Sequence, residues 1–243
     1  MKKIFLFLFS LSFIGISFGQ SFEWGISLHP NFSNRRLIAL DANVTEQDII
    51  TVDSFEVNRI SYSGGIFVNW QSDKLGIFVG LNYMSTGYGT LQFPVSVSDP
   101  LFGQATELKQ LYTNTNIELP FIAQFIQRPD EKNAIYFNMG GAFSYNIQNN
   151  LVSVYYNGQE QFSRESSKQD GSVFRKFNYA FQTGMGWKHT FNNGFAFSIE
   201  PIFIMWLKGV LKSNQLNRSI YSLGIRTSFT IGGYELEESG SFY

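Results

Sequence analysis

The stretch FNYAFQTGMGW at residues 177–187 decides the fold. Its odd positions are Phe177, Tyr179, Phe181, Thr183, Met185 and Trp187; its even positions are Asn178, Ala180, Gln182, Gly184 and Gly186. Large, mostly apolar side chains share one face and small or polar ones the other. A repeat of two is the signature of a β-strand, whose successive side chains point to opposite faces. The solvent each face meets then separates a water-soluble barrel from a membrane one.

The same period marks eight segments: about 22–30, 60–70, 75–84, 111–126, 134–145, 177–188, 195–207 and 219–232. Long gaps follow the first, third, fifth and seventh. Short ones follow the second, fourth and sixth, at 71–74, 127–133 and 189–194, with Asn193-Gly194 a hairpin turn signal. Long connections confined to one end are the pattern of an outer-membrane barrel, with short periplasmic turns and long extracellular loops.

Charge placement assigns the faces. The eight segments hold only five charged residues, Glu23, Glu118, Lys188, Glu200 and Arg226, and each lies on the small, polar face. The opposite face carries Trp24, Ile26, Leu28, Tyr62, Ile66, Val68, Trp70, Ile77, Val79, Leu81, Tyr83, Phe137, Phe197 and Phe229. A soluble lipocalin-like barrel would bury that face and cover its outside with Lys and Glu. Gly, Ser, Asn, Gln and Ala make a poor water-facing surface but a good narrow lumen, so the apolar face is expected to meet lipid. Closure satisfies every backbone group, as hydrocarbon requires. The expected fold is all-β: an eight-stranded antiparallel transmembrane β-barrel over residues 20–243, monomeric, in a Gram-negative outer membrane with its lipopolysaccharide.

Residues 1–19 read as a secretory signal peptide: Lys2 and Lys3, an apolar run from Ile4 to Phe18, and cleavage after Gly19. With 0 cysteines, disulfides and thiolate metal sites are ruled out. The net charge of −1 offers no electrostatic case for nucleic acid, and no cofactor motif is visible. Trp70, Phe125, Tyr136 and Trp187 are expected in a periplasmic aromatic girdle, and Tyr83, Tyr112 and Tyr145 in an extracellular one. Trp206 falls on the inward phase and is expected to plug the mouth.

Strand four contains NIELPFIAQF at 116–125; with YFNMGGAFSYNI at 136–147 and FNYAFQTGMGWKH at 177–189 it resembles the PorT-like outer-membrane β-barrel family of the Bacteroidota. Glu118, Leu119 and Pro120 match that family's Glu-(Ile/Leu)-Pro core, and Gly184, Gly186 and Trp187 its Gly-x-Gly-aromatic strand end. Asn116 replaces the usual aromatic and Gln124 a common Lys. The resemblance implies a role in or beside type IX protein secretion, with outer-membrane or secretion components as partners. The alternatives are a surface adhesion or ligand-binding barrel that uses its loops and, more remotely, a lipid-modifying enzyme.

Physical reading of the same residues adds expectations. Pro120 cannot donate to a ladder, so a local bulge is expected there. An inward Glu118 needs a partner, and the inward cations are Arg226 and Lys188. A lumenal network of Glu23, Glu118 and Glu200 with Arg226 and Lys188 is therefore expected, as a structural plug rather than an ion path. His29, near Ser27 and Ser33, reads as a polar residue at the outer end of a strand rather than a catalytic base. DANVTEQD at 41–48 only faintly resembles a calcium loop, lacking its glycine and late glutamate. Arg35 and Arg36 could reach lipopolysaccharide phosphates. Most of the loop aromatics Phe93, Phe102, Tyr155, Tyr156 and Phe162 are expected to pack on one another. No catalytic residue is assigned, and the protein is read as a non-enzyme.

Overall fold

The computed structural model describes residues 21–212 and 215–232; the signal-peptide reading at 1–19 falls outside them. The barrel strands are β1 (Ser21–Ala39), β2 (Arg59–Gln71), β3 (Leu75–Thr90), β4 (Glu107–Gln127), β5 (Asn133–Asn157), β6 (Phe177–Thr190), β7 (Phe195–Trp206) and β8 (Leu216–Ile231). Each pairs antiparallel with its sequence neighbour, and β1 with β8 closes the ring from Trp24↔Ile231 to Ala39↔Leu216. This is an eight-stranded transmembrane β-barrel.

The faces fall as the period requires. Along β1 the even residues Phe22, Trp24, Ile26, Leu28 and Phe32 are all exposed, while odd residues such as Glu23, Ser27 and His29 are buried. Ten residues of strand rise about 33 Å, which at a tilt of roughly 40° makes a band about 25 Å tall, the thickness of an outer-membrane hydrocarbon layer. The five charges of the expected segments, Glu23, Glu118, Lys188, Glu200 and Arg226, are all buried inside.

Differences appear at the extracellular end. β1, β3, β4 and β5 run well past the expected limits, because their polar ends pair beyond the lipid where no apolar band marks them. The first connection holds a helix, α1 (Glu46–Phe55), and a two-residue strand, Glu56–Val57, on β3. The third is a hairpin, with Glu160–Lys168 folded back on Asn150–Asn157 of β5. The DANVTEQD segment is the entry to α1: Thr45 caps the helix and Asp48 bonds back in a capping box, while Asp41 accepts from Asn43. Asp41 and Asp48 are thus occupied in local turns.

The expected bulge at Pro120 is absent. β4 keeps one register from Asn82↔Glu118 through Val79↔Phe121, and its shift lies between Thr115 and Asn116. What Pro120 does is leave the β3 ladder unpaired over two positions. Pro30 does the same on the β1–β8 side and Pro201 on the β6–β7 side. A ladder can skip a donor without inserting a residue, so a closed barrel tolerates proline at the cost of lost bonds rather than a register change.

Two girdle expectations also fail. Tyr136 is buried on the inner face, and Tyr112 is half-buried at the mouth, stacked on Tyr88 with ring centres 4.8 Å apart. Trp70, Phe125, Trp187, Tyr83 and Tyr145 do face outward, and the Trp187 indole donates to Asn133 at the periplasmic turn (3.1 Å). Among the loop aromatics, Tyr155 is buried with Val95, Ala105 and Leu108, and Phe93 packs edge-on to Phe55; Phe102 and Phe162 stay exposed.

Candidate functional site

The interior is filled in layers. Nearest the periplasm, Lys188 on β6 donates to both carboxylate oxygens of Glu23 on β1 at 2.5 and 2.6 Å, and Gln71 adds a bond to the same carboxylate at 2.6 Å. Beside it, Arg226 on β8 meets its cross-strand partner Glu200 on β7 at 3.2 Å, while Asn138 donates to Glu200 at 2.7 Å. The guanidinium also lies 5.0 Å from the Phe78 ring centre, and Phe78 stacks on Phe67. Each carboxylate has an opposite charge and one further hydrogen bond from a neutral amide, Gln71 to Glu23 and Asn138 to Glu200, which helps such buried pairs to be tolerated.

Glu118 departs from the expected network. It is fully buried, yet the described residues place no cation in ion-pair contact with it; Gln182 donates to it at 2.7 Å. The expected five-member network is instead two separate pairs and a carboxyl held by a neutral amide. The geometry follows from position. Arg226 is drawn to Glu200 directly opposite on the neighbouring strand, which leaves Glu118, on the far wall, to the amides.

The motif glycines have a steric role. A side chain at Gly184 would meet the Glu200 carboxylate, and one at Gly186 would overlap the Tyr136 ring that lies across it. Tyr136 and Gly186 are register partners, so the aromatic covers the glycine backbone from inside the lumen. Leu119 faces lipid and Pro120 is buried inward.

Above these layers an apolar plug of Met84, Ile202, Ile204, Trp206 and Ile220 closes the lumen. Trp206 is where the inward phase puts it. His29 lies in the lumen, not at the outer end of its strand; it is 3.2 Å from Ser63, whereas Ser33 bonds Ser61 and the Gly87 carbonyl.

Outside the plug lies a second set of charges, of which the sequence pattern singled out only Arg35. Glu56, just after α1, receives Arg35 of β1 at 2.7 Å and Arg218 of β8 at 2.5–3.1 Å; Arg35 also meets Asp53 at 3.0 Å. Arg35 is therefore buried and unavailable to lipid phosphate, leaving Arg36 as the exposed member of the pair. Arg218 sits over the Tyr88 ring at 5.4 Å. Glu56 is 21 residues from one arginine and 162 from the other; no local spacing signals such a triad.

Between this triad and the connections lies a cup of about 260 Å³, open to the outside, whose lining includes Tyr88, Tyr112, Asn114, Asn149, Gln169 and Arg218. Aromatic rings, amides and a neutralised cation suit reversible binding of a small polar molecule more than covalent chemistry.

Comparison with known proteins agrees with the architecture. The family model described as outer membrane protein beta-barrel domain matches residues 17–203. No curated protein sequence matches the chain. Among solved structures, Neisserial surface protein A is similar over 88% of this chain and 98% of its own, at 8% identity and a TM-score of 0.38. OprG of Pseudomonas aeruginosa is similar over 86% and 95%, at 9% identity and a TM-score of 0.40. Ail, the attachment invasion locus protein of Yersinia pestis, covers 85% and 97%, at 12% identity and a TM-score of 0.32.

Proposed function

Because this chain belongs to the outer membrane protein beta-barrel domain family, we propose that it is a closed outer-membrane scaffold serving type IX protein secretion or envelope assembly. In this reading it is exported with a signal peptide cleaved after Gly19, stays monomeric among outer-membrane lipid and lipopolysaccharide, associates with other secretion components and performs no enzymatic step. The observation that carries the scaffold part is the filled lumen. Ion pairs on the periplasmic side and the Trp206 plug above them fill the lumen with side chains, so in this reading the work falls to the surfaces at the two ends. The secretion part rests on the PorT-like pattern at Glu118-Leu119-Pro120 and Gly184-x-Gly186-Trp187.

The test is the secreted proteome of a deletion strain against its parent. Cargo bearing the type IX C-terminal signal should accumulate in the periplasm. An unchanged secretome would overturn the secretion role and leave the scaffold.

A second reading, a surface protein that binds a ligand through its extracellular end, is favoured by the cup beneath the connections. It requires secretion to be intact in the deletion strain and saturable binding by the purified protein.

A further inference from the structure

We infer that the extracellular cup is a binding site for an uncharged saccharide, of the size of one or two sugar rings. The inference deepens the ligand-binding reading and rests on it.

Three features of the cup point to this chemistry. First, its polar groups present both donors and acceptors. Asn114 donates its amide to Asn149, which leaves its carbonyl oxygen; Gln169 donates to Ser167, which leaves the same group; Asn150 accepts from Gln148, which leaves its NH₂. A sugar hydroxyl both donates and accepts, so a ring of hydroxyls can satisfy such a mixed set. Second, the cup holds no free charge. Arg218 is the one charged residue of its lining among the described residues, and Glu56 neutralises it. The lining itself therefore offers a charged ligand no unpaired cation or carboxylate; Arg59 and Arg175 lie outside the lining, with their guanidinium groups bonded to Tyr112 and Thr113 and to Gly209 and Leu211.

Third, the walls are apolar and aromatic. The Tyr88–Tyr112 stack lines it together with Val173, Phe174, Val210 and Leu211. Sugars carry apolar C–H faces, which aromatic rings and aliphatic side chains in such a lining can cover. A volume near 260 Å³ lies at the small end of ligand pockets, too small for a long oligosaccharide to enter whole. The cup is held open by fixed parts. Asn149 and Asn114 are buried in a chain of amides with Asn146, and the Glu56 triad pins the first connection beside it.

The experiment is isothermal titration of the full-length mature protein in lipid nanodiscs. The neutral probes are glucose, galactose, mannose, N-acetylglucosamine and their common disaccharides. The charged and apolar probes are N-acetylneuraminic acid, glucuronic acid, glucosamine and indole. At least one neutral sugar should saturate, and Tyr112→Ala and Asn150→Ala should each weaken it ten-fold or more. Phe162→Ala, on the exposed hairpin, should leave it unchanged. Folding of each variant is checked by its shift between unboiled and boiled gel lanes. Binding of only a charged or apolar probe, lost in the cup variants, would overturn the saccharide assignment and keep the ligand-binding reading. Sugar binding unaffected by both cup variants would overturn the site, and no binding by any probe would overturn both.

Discussion

A single buried arginine shows how the lumen is balanced. Arg226→Ala leaves the Glu200 carboxylate, 3% exposed, without its counter-charge; removing one partner of a buried pair costs about 3–5 kcal/mol. The unfolding midpoint in denaturant should fall accordingly, and the double variant Glu200→Gln, Arg226→Met should recover much of the loss. Equal midpoints for the wild type and Arg226→Ala would mean that the pair is hydrated and screened. At this scale much was legible in the sequence. Phase alone put Glu23, Glu118, Lys188, Glu200 and Arg226 inside, since one misplaced charge would face hydrocarbon. Who pairs with whom was not legible. Glu200 and Arg226 are register partners on consecutive strands, but Glu23 and Lys188 are 165 residues apart and meet across the lumen. That contact depends on strand tilt and stagger, which residue phase does not encode. The Glu56 triad was hidden for the same reason, because its members lie where the alternation has already stopped.

Among the elements, α1 is the one whose sequence signal is present but ambiguous. Thr45-x-x-Asp48 is a capping box ahead of Ile49 and Ile50, but oxygen-bearing residues at alternate positions also look like the start of an ion loop. The next residues make the distinction, since they form an apolar turn and supply no glycine. Thr45→Ala should cost about 1 kcal/mol of local helix stability, read as faster amide exchange over 46–55 with the barrel midpoint unchanged. The box also has a pH dependence. The Thr45 side-chain and backbone hydrogen bonds hold Asp48 below the ordinary aspartate value of 3.8. A depressed carboxyl stabilises the fold above that value and loses its contribution as pH falls through its own lower one. Exchange over α1 should therefore rise below about pH 3.8, and in Asp48→Asn that dependence should vanish. The strand prolines teach a related lesson. Pro120 was legible as a disturbance but not as which kind, because a skipped rung and an inserted residue both follow from a missing N–H.

For the whole molecule, the filled lumen carries a direct expectation: reconstituted in a planar bilayer, the protein should show no steady channel conductance at moderate voltage. Trp206→Ala should still conduct nothing, because the two ion pairs below the plug remain; open channels in the wild type would overturn the scaffold reading. The barrel itself was readable because eight alternating segments, three short turns and a charge-free outer face agree with one another. The extracellular architecture was not, since polar strands beyond the lipid carry no contrast between their faces. Closure by the first strand against the last has one more implication, for the order of events during biogenesis. Neither edge can be sealed until the whole chain has been delivered, and both edges stay sticky until then. The Glu23–Lys188 lock and the long β1–β8 seam join residues far apart in the chain, so they are the last to form and the slowest. Until that seam closes the chain is an open, unsealed ribbon, and truncation near the end of β8 should hold it in that state, read as faster cleavage by added protease than the closed barrel shows.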